Sequence, residues 1–281
     1  MASDAEARIW GVMAASGTGK GVWVKGQLRE LNPPRLVIWD FKDEYGEFAK
    51  MASTLGQVLA AMRKAGADGP LRLRYRPRSF GDKAMRREFE TLCSLVQAWG
   101  KCTFLAEELS NVTMPSWAPP AWRMMSSGGR HELIHIIGVS QNPASIDKMF
   151  LSNCTLIHVG PLHEEAHRNA VEKSMDVMPG SLADLVKFQW IEKNRDTGEF
   201  TAGVVRIKGV TPPTLPVVPQ RRRRGVALLA NAPTATDASP SATGTSRPSK
   251  KGASVSKVRP SSTGRAAHNG AKSAPRKRPT S

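Results

Sequence analysis

The sequence predicts an α/β fold, a mostly parallel sheet with helices on both faces carried by residues 1–215, followed by a disordered basic tail over residues 216–281. Three observations predict it. Short apolar runs rich in β-branched and aromatic residues alternate with segments of helical periodicity, as strands joined by crossover helices do. Gly, Pro or polar clusters bound most of those runs, which marks them as strands. Beyond about residue 234 the chain has no Phe, Tyr or Trp, too little apolar bulk to offset the entropy of ordering.

The elements follow in order. "RIWGVM" (8–13) reads as a first strand, "AASGTGKG" (14–21) as its turn and "VWVKGQLREL" (22–31) as the helix after it. "RLVIWD" (35–40) is the second strand. Thr54 and Gln57 have capping-box spacing ahead of "LAAMRKAG", and "LRLRY" (71–75) is a further strand. In "GDKAMRREFETLCSLVQAWG" (81–100) Met85, Phe89, Leu92, Val96 and Trp99 fall at steps of three and four on one helical face, with Gly100 placed to end the helix. "CTFLAE" (102–107), "LIHIIGVS" (133–140) and "CTLIHV" (154–159) are strands. "FQWIEKNRDTGEFTAGVVRIKG" (188–209) reads as a hairpin around Asp196-Thr197-Gly198, and "VTPPTLPVVPQRRRRG" (210–225) opens a Pro-rich linker.

Charge is divided unevenly. Of the formal net charge of +17, the segment from Arg221 onward holds +13, with fourteen Lys and Arg against one acid, Asp237. Such a field attracts a polyanion, with nucleic acid the leading candidate, through sequence-blind and salt-sensitive phosphate contacts. "RRRR" (221–224) fits a DNA contact, a localisation signal or a solvated linker. No run approaches the roughly 18–20 apolar residues of a membrane helix, and "MASDAEARIW" lacks the pattern of a secretory signal. The expectation is a protein without membrane insertion, cytoplasmic or virion-associated. Cys93, Cys102 and Cys154 are scattered in apolar segments and read as reduced core residues.

Four segments carry candidate chemistry. "GVMAASGTGKG" approaches G-x-x-x-x-G-K-[S/T], with Ala14 for the first Gly and Gly21 for the hydroxyl residue. In a strand-loop-helix setting, Ala15, Ser16, Gly17, Thr18, Gly19, Lys20 and Gly21 would wrap an anion, with Lys20 reaching the β- and γ-phosphates. The absent hydroxyl at position 21 leaves a water, Thr18 or Ser16 to substitute on Mg²⁺. "KCTFLAEELSN" delivers Glu107 and Glu108 to a strand end, where a first acid serves Mg²⁺ and a second polarises the attacking water. In the third segment the strand "LIHIIGVS" ends at Ser140-Gln141, a polar position able to sense a γ-phosphate. After the second strand come Asp40, Lys42 and Glu44, for which a surface turn is an equally good account. A rival motif, "HEEAH" (163–167), fits the H-E-x-x-H zinc spacing, with Glu172 and Glu192 as conceivable third ligands; the charged segment "HEEAHRNAVEKSM" reads better as a solvated helix start with acids near its positive end.

These candidates occur in a consistent order at strand C-terminal ends, where ligands of open α/β sheets gather. In that arrangement the chain resembles the FtsK/HerA superfamily of DNA-pumping P-loop ATPases over roughly residues 8–210. The resemblance rests on Ala14–Gly21, Asp40-Phe41-Lys42-Asp43-Glu44-Tyr45, Glu107-Glu108, Gly129-Arg130-His131 and Ser140-Gln141-Asn142-Pro143 followed by "SIDKMFLSNCT". It implies a three-layer RecA-like P-loop NTPase core using ATP and Mg²⁺. It also implies a homo-oligomer, usually a hexameric ring, that moves double-stranded DNA, plausibly in phage genome packaging with a virion or portal-vertex protein as docking partner. By position it assigns Lys20 to phosphate, Glu107 to Mg²⁺, Glu108 to water activation, Gln141 to γ-phosphate sensing and Arg130 to a neighbour's site, with Arg123 close by. Alternatives are an assembly ATPase of the filamentous-phage, zonular occludens toxin-like kind and a catalytically weak DNA-binding scaffold.

Overall fold

The computed structural model describes residues 7–78, 81–129 and 131–219. Arg130, and the expected tail beyond Pro219 with its Arg221–Arg224 run, lie outside the described residues.

The elements run β1 (Ile9–Met13), α1 (Lys20–Leu31), β2 (Arg35–Trp39), β3 (Lys50–Ala52), α2 (Leu55–Ala65), β4 (Leu71–Tyr75), α3 (Asp82–Trp99), β5 (Thr103–Ala106), α4 (Leu109–Val112), α5 (Pro120–Gly128), β6 (His135–Ser140), α6 (Lys148–Asn153), β7 (Leu156–Val159), α7 (Glu165–Met175), β8 (Gln189–Asn194) and β9 (Phe200–Val204). Among the described residues the strands form one sheet in the order β3-β4-β2-β5-β6-β1-β7-β8-β9. Pairing is parallel from β3 to β7, and the expected hairpin adds β8 and β9 antiparallel at one edge. Three elements were not legible in the sequence. β3 is a three-residue edge strand with two exposed positions, too short to show a period, while α4 has four residues and α5 begins at Pro120 behind a second proline that masks it.

Strand residues alternate between two cores, as the two-residue period of a strand requires. Ile9, Met13, Val37, Trp39, Phe104, Ala106 and Ile136 face a large cluster with α2, α3 and α5–α7. Trp10, Val12, Leu36, Ile38, Leu105, Ile137 and Val139 face a smaller one with Val24 and Leu28 of α1 and with Tyr45 and Ala49 of the segment after β2. That second face positions the site, because α1 and residues 45–49 share it.

Helix ends follow local chemistry. Thr54 Oγ1 accepts from Gln57 N–H at 3.1 Å, and the Gln57 side chain reaches back one residue further than expected, accepting from Ser53 N–H at 2.7 Å. In α3 the buried face holds Met85, Phe89, Leu92, Cys93 and Val96, and Gly100 caps its end. At the opposite end of the sheet from the strand C-termini, the buried Arg35 guanidinium donates to the carbonyls of Lys101, Gly66, Gly69, Trp99 and Gly100 at 2.9–3.3 Å and stacks 3.5 Å from the Trp99 ring centroid. The three cysteines are free and buried. Burial pushes the Cys102 thiol up to about 12 and the other two further above the ordinary value. Among the described residues no helix is long and apolar enough to cross a membrane.

Candidate nucleotide-binding site

The strand order β2-β5-β6-β1 sets four loops side by side: 40–45, 107–108, 140–142 and 14–19. The last of these curls by way of Gly17 at φ 72° and Gly19 at φ 104°, a left-handed backbone that side-chain-bearing residues avoid. Gly19 is also tightly packed, since a Cβ would sit 3.2 Å from the Phe188 and Val205 side chains. Ala14, the first departure from the motif, keeps a negative φ, so its methyl introduces no strain. The loop is pinned by Ala15 N–H donating to the Pro161 carbonyl at 2.8 Å and by the Thr18 hydroxyl donating to the Ala15 carbonyl at 2.7 Å. It leads into α1, whose first turn carries no acid, leaving the positive helix end uncompensated and suited to an anion.

Glu107 and Glu108 are both buried but differently held. Glu107 Oε1 accepts from the Tyr45 hydroxyl at 2.6 Å, while Oε2 is buried with no hydrogen-bond partner among the described residues. Burial lifts the Glu107 carboxyl above the ordinary carboxylate range, against the pull of Tyr45 and Lys20. Glu108 sits in the left-handed region, φ 50° and ψ 51°, at a cost of about 1 kcal/mol or more for a residue with a side chain. Its Oε1 accepts from Lys42 Nζ and Gln141 Nε2, each at 2.6 Å. Burial opposes the Lys42 charge, yet the hydrogen bond and field of Glu108 raise its ammonium above the usual lysine value.

The turn after β2 is therefore part of the site, which a surface turn would not be. Asp40, fully buried, accepts from the N–H groups of Glu44 and Tyr45 at 2.9 and 3.1 Å and from Arg74 at 2.9 Å. Arg74 also bonds Asp43. One buried carboxylate thus shapes the turn that sends Lys42 to Glu108 and Tyr45 to Glu107. Sequence reasoning left these residues open because their partners lie about sixty positions away.

A cleft of about 330 Å³ is lined by Gly17, Gly19, Lys20, Gly21, Lys42, Glu44, Glu107 and Gln141. Lys20, Glu107 and Gln141 thus share one cavity, and Glu108 is joined to it through Lys42 and Gln141. Mg²⁺ that arrives with nucleotide phosphates needs only one or two protein carboxylates, and the orphaned Glu107 Oε2 fits that need. A second cleft of about 530 Å³ opens beside Ser16, Gly17 and Thr18, with Arg168 and Lys187 on its wall. Of the expected stand-ins for the missing hydroxyl, Thr18 donates its proton to the Ala15 carbonyl and lines the second cleft, whereas Ser16 lines both clefts. Arg123 is exposed on α5.

The zinc spacing is not realised. His163 precedes α7, which begins at Glu165, so the two histidines do not share a helical face. Glu172 accepts from Gly180 and Leu182 N–H groups, and Glu192 bonds His158. Among the described residues no group of three or more His, Cys, Asp or Glu is placed to hold a metal. The "NCT" residues are structural ties: Asn153 donates to the Ser126 carbonyl at 3.1 Å, and Thr155 exchanges hydrogen bonds with Ile9.

A glycine-rich loop between the central strand and its helix, with acids on a neighbouring strand and a parallel sheet of this order, defines the RecA-like P-loop NTPase fold, and the chain resembles the FtsK/HerA type. No family model matches the chain. Among solved structures it is similar to the genome packaging NTPase B204 of Sulfolobus turreted icosahedral virus 2 in complex with ATP-gammaS, at 14% identity and TM-score 0.58, covering 74% of this chain and 100% of that one. It is similar also to VirB4 of Thermoanaerobacter pseudethanolicus, at 11% identity and TM-score 0.53, covering 71% and 89%. By sequence it is 23% identical over 178 residues to Protein P9 of Pseudoalteromonas phage PM2, spanning 62% of this chain and 78% of that protein.

Proposed function

We propose that this chain is an ATP-driven motor that moves double-stranded DNA, and that the movement is phage genome packaging. The observation that carries the reading is the convergence of Lys20, Glu107 and Gln141 on one cleft at a helix N-terminus. The likeness to a viral packaging NTPase and to a phage protein supports the packaging context. The basic segment beyond residue 220 supplies a sequence-blind attraction for DNA near the motor.

In this reading Lys20 and the loop amides bind the phosphates, and the neighbouring cleft beside Ser16 and Thr18 receives the rest of the nucleotide. Glu107 would hold Mg²⁺, which when bound would supply positive charge to offset that of the phosphates. Glu108 accepts a proton from the water that attacks the γ-phosphorus, and the bond to the leaving ADP oxygen breaks. Gln141, bonded to Glu108, couples the γ-phosphate position to the base. Arg130 of an adjacent subunit completes the site in a ring, most simply a hexamer, docked on a virion vertex protein.

The test is phosphate release by the full chain with and without duplex DNA. Stimulation by DNA, abolished in Lys20→Ala, is the expected result. Lys20→Ala turning over like the wild type counts against the assignment, and nucleotide binding without turnover in the wild type favours the weak-scaffold alternative that Gly21 raises.

A further inference from the structure

We propose that Glu44 supplies the Mg²⁺ ligand that the missing hydroxyl at position 21 would otherwise provide. The inference rests on the ATPase reading and deepens it. A Cβ built on Gly21 would have one neighbour within 4 Å outside its own helix turn, Glu44 Oε2 at 3.7 Å. A serine or threonine here would put its hydroxyl into the space that the Glu44 carboxylate overlooks. The loop's own hydroxyl at Thr18 donates to the Ala15 carbonyl and lines the second cleft, whereas Glu44 lines the cleft that holds Lys20 and Glu107.

Glu44 is held for this work by backbone, which leaves its side chain unspent. Its N–H is fixed on buried Asp40, and Tyr45 next to it is anchored on Glu107. Residues 45–49 lie on the same sheet face as α1, with Lys25 of α1 5.6 Å from the Tyr45 ring centroid. That packing carries Glu44 across to the first turn of α1. The Glu44 carboxylate makes no hydrogen bond or ion pair among the described residues, and it lines the cleft open to solvent.

The second observation is independent of Glu44. Glu107 is 2% exposed, lines the same cleft, and has one carboxylate oxygen buried without a partner. Two carboxylates in one cleft that is built for phosphates repel each other and the ligand, unless a divalent cation sits among them. Mg²⁺ takes one or two carboxylates together with phosphate oxygens, which matches this donor set. Lys20, Lys25 and Lys42 line the cleft as well and offset the extra negative charge that a carboxylate brings in place of a hydroxyl.

The proposal makes a prediction that crosses in sign. In Glu44→Gln, the affinity of the full chain for Mn²⁺ in the presence of a non-hydrolysable ATP analogue, read by electron paramagnetic resonance, should fall by about tenfold or more. Binding of the same analogue in chelator, without metal, should be unchanged or tighter, because a repelling charge has gone. Adding Gly21→Ser to Glu44→Gln should restore Mn²⁺ affinity by returning a hydroxyl to the motif position. Wild-type Mn²⁺ affinity in Glu44→Gln overturns the proposal, as does equal weakening with and without metal, which marks a structural role. A wild-type chain that binds no nucleotide under either condition overturns the ATPase reading itself, and this inference with it.

Discussion

Gln141 Nε2 donates to Glu108 Oε1 across 2.6 Å, joining the end of β6 to the turn after β5. Lys42 takes the same oxygen from the other side at 2.6 Å. The candidate base is thus held between a side chain from the end of β6 and one from the turn after β2, in a backbone conformation that is itself costly.

From this clamp we expect two distinct losses. Glu108→Gln should lower single-turnover hydrolysis by about 10²–10⁴-fold, the span typical of removing a general base. Gln141→Ala leaves the base in place but loosens it, and should cost roughly 10–100-fold. Both variants should keep nucleotide affinity near wild type, since the proposed function assigns phosphate binding to the loop and Lys20. Wild-type turnover in Gln141→Ala would remove the coupling role.

Arg35 predicts a stability effect separable from chemistry. Its guanidinium satisfies five carbonyls at the N-terminal end of the sheet, far along β2 from the cleft. A lysine there has neither the planar fork nor the ring stack. Arg35→Lys should destabilise by about 2–4 kcal/mol, lowering the thermal midpoint by roughly 5–10 °C. Nucleotide affinity at a temperature where the variant is folded should not change. A midpoint equal to that of wild type would show that these bonds contribute nothing net.

Two imidazoles contribute to the response to acid. Burial, with the field of Arg8, pushes His135 down to about 4, and burial outweighs Glu192 in lowering His158. Both are neutral in the fold, whereas in the unfolded chain they take up protons below about 6.5. Their contribution is therefore complete above that value and is lost as pH falls toward the folded values. The slope is at most about 1.4 kcal/mol per pH unit for each imidazole. Urea unfolding should show weaker stability at about pH 5 than at neutral pH, and His135→Phe, which keeps an aromatic edge against Trp10, should flatten the dependence. An unchanged slope in that variant would assign the acid response elsewhere.

Much of this was readable from residue order. Strands β1, β2, β4–β7 and the hairpin were marked by apolar runs and turn residues, and α3 by its spacing and Gly100. These signals are local: a strand repeats every two residues and a helix every three or four, so a short window contains them. The same holds for the loop at 14–21, whose glycines are legible because backbone geometry demands them. The edge strand β3 and the four-residue helix α4 were missed because they span too few residues to repeat, and α5 because two prolines at its start mask it.

By itself, then, the sequence determined the strands, the phosphate loop, the pair of acids and the uneven charge, all properties of neighbouring residues. Only the tertiary structure decided that the turn after β2 belongs to the site. That follows from the order β2-β5-β6-β1, which sets Asp40, Glu107 and Gln141 in adjacent loops although they are distant in the chain. It also decided that Glu44 faces Gly21, because residues 45–49 and α1 cover the same face of the sheet. No local period encodes such a meeting, since it depends on which strands pair, and pairing is settled by the packing of the whole core.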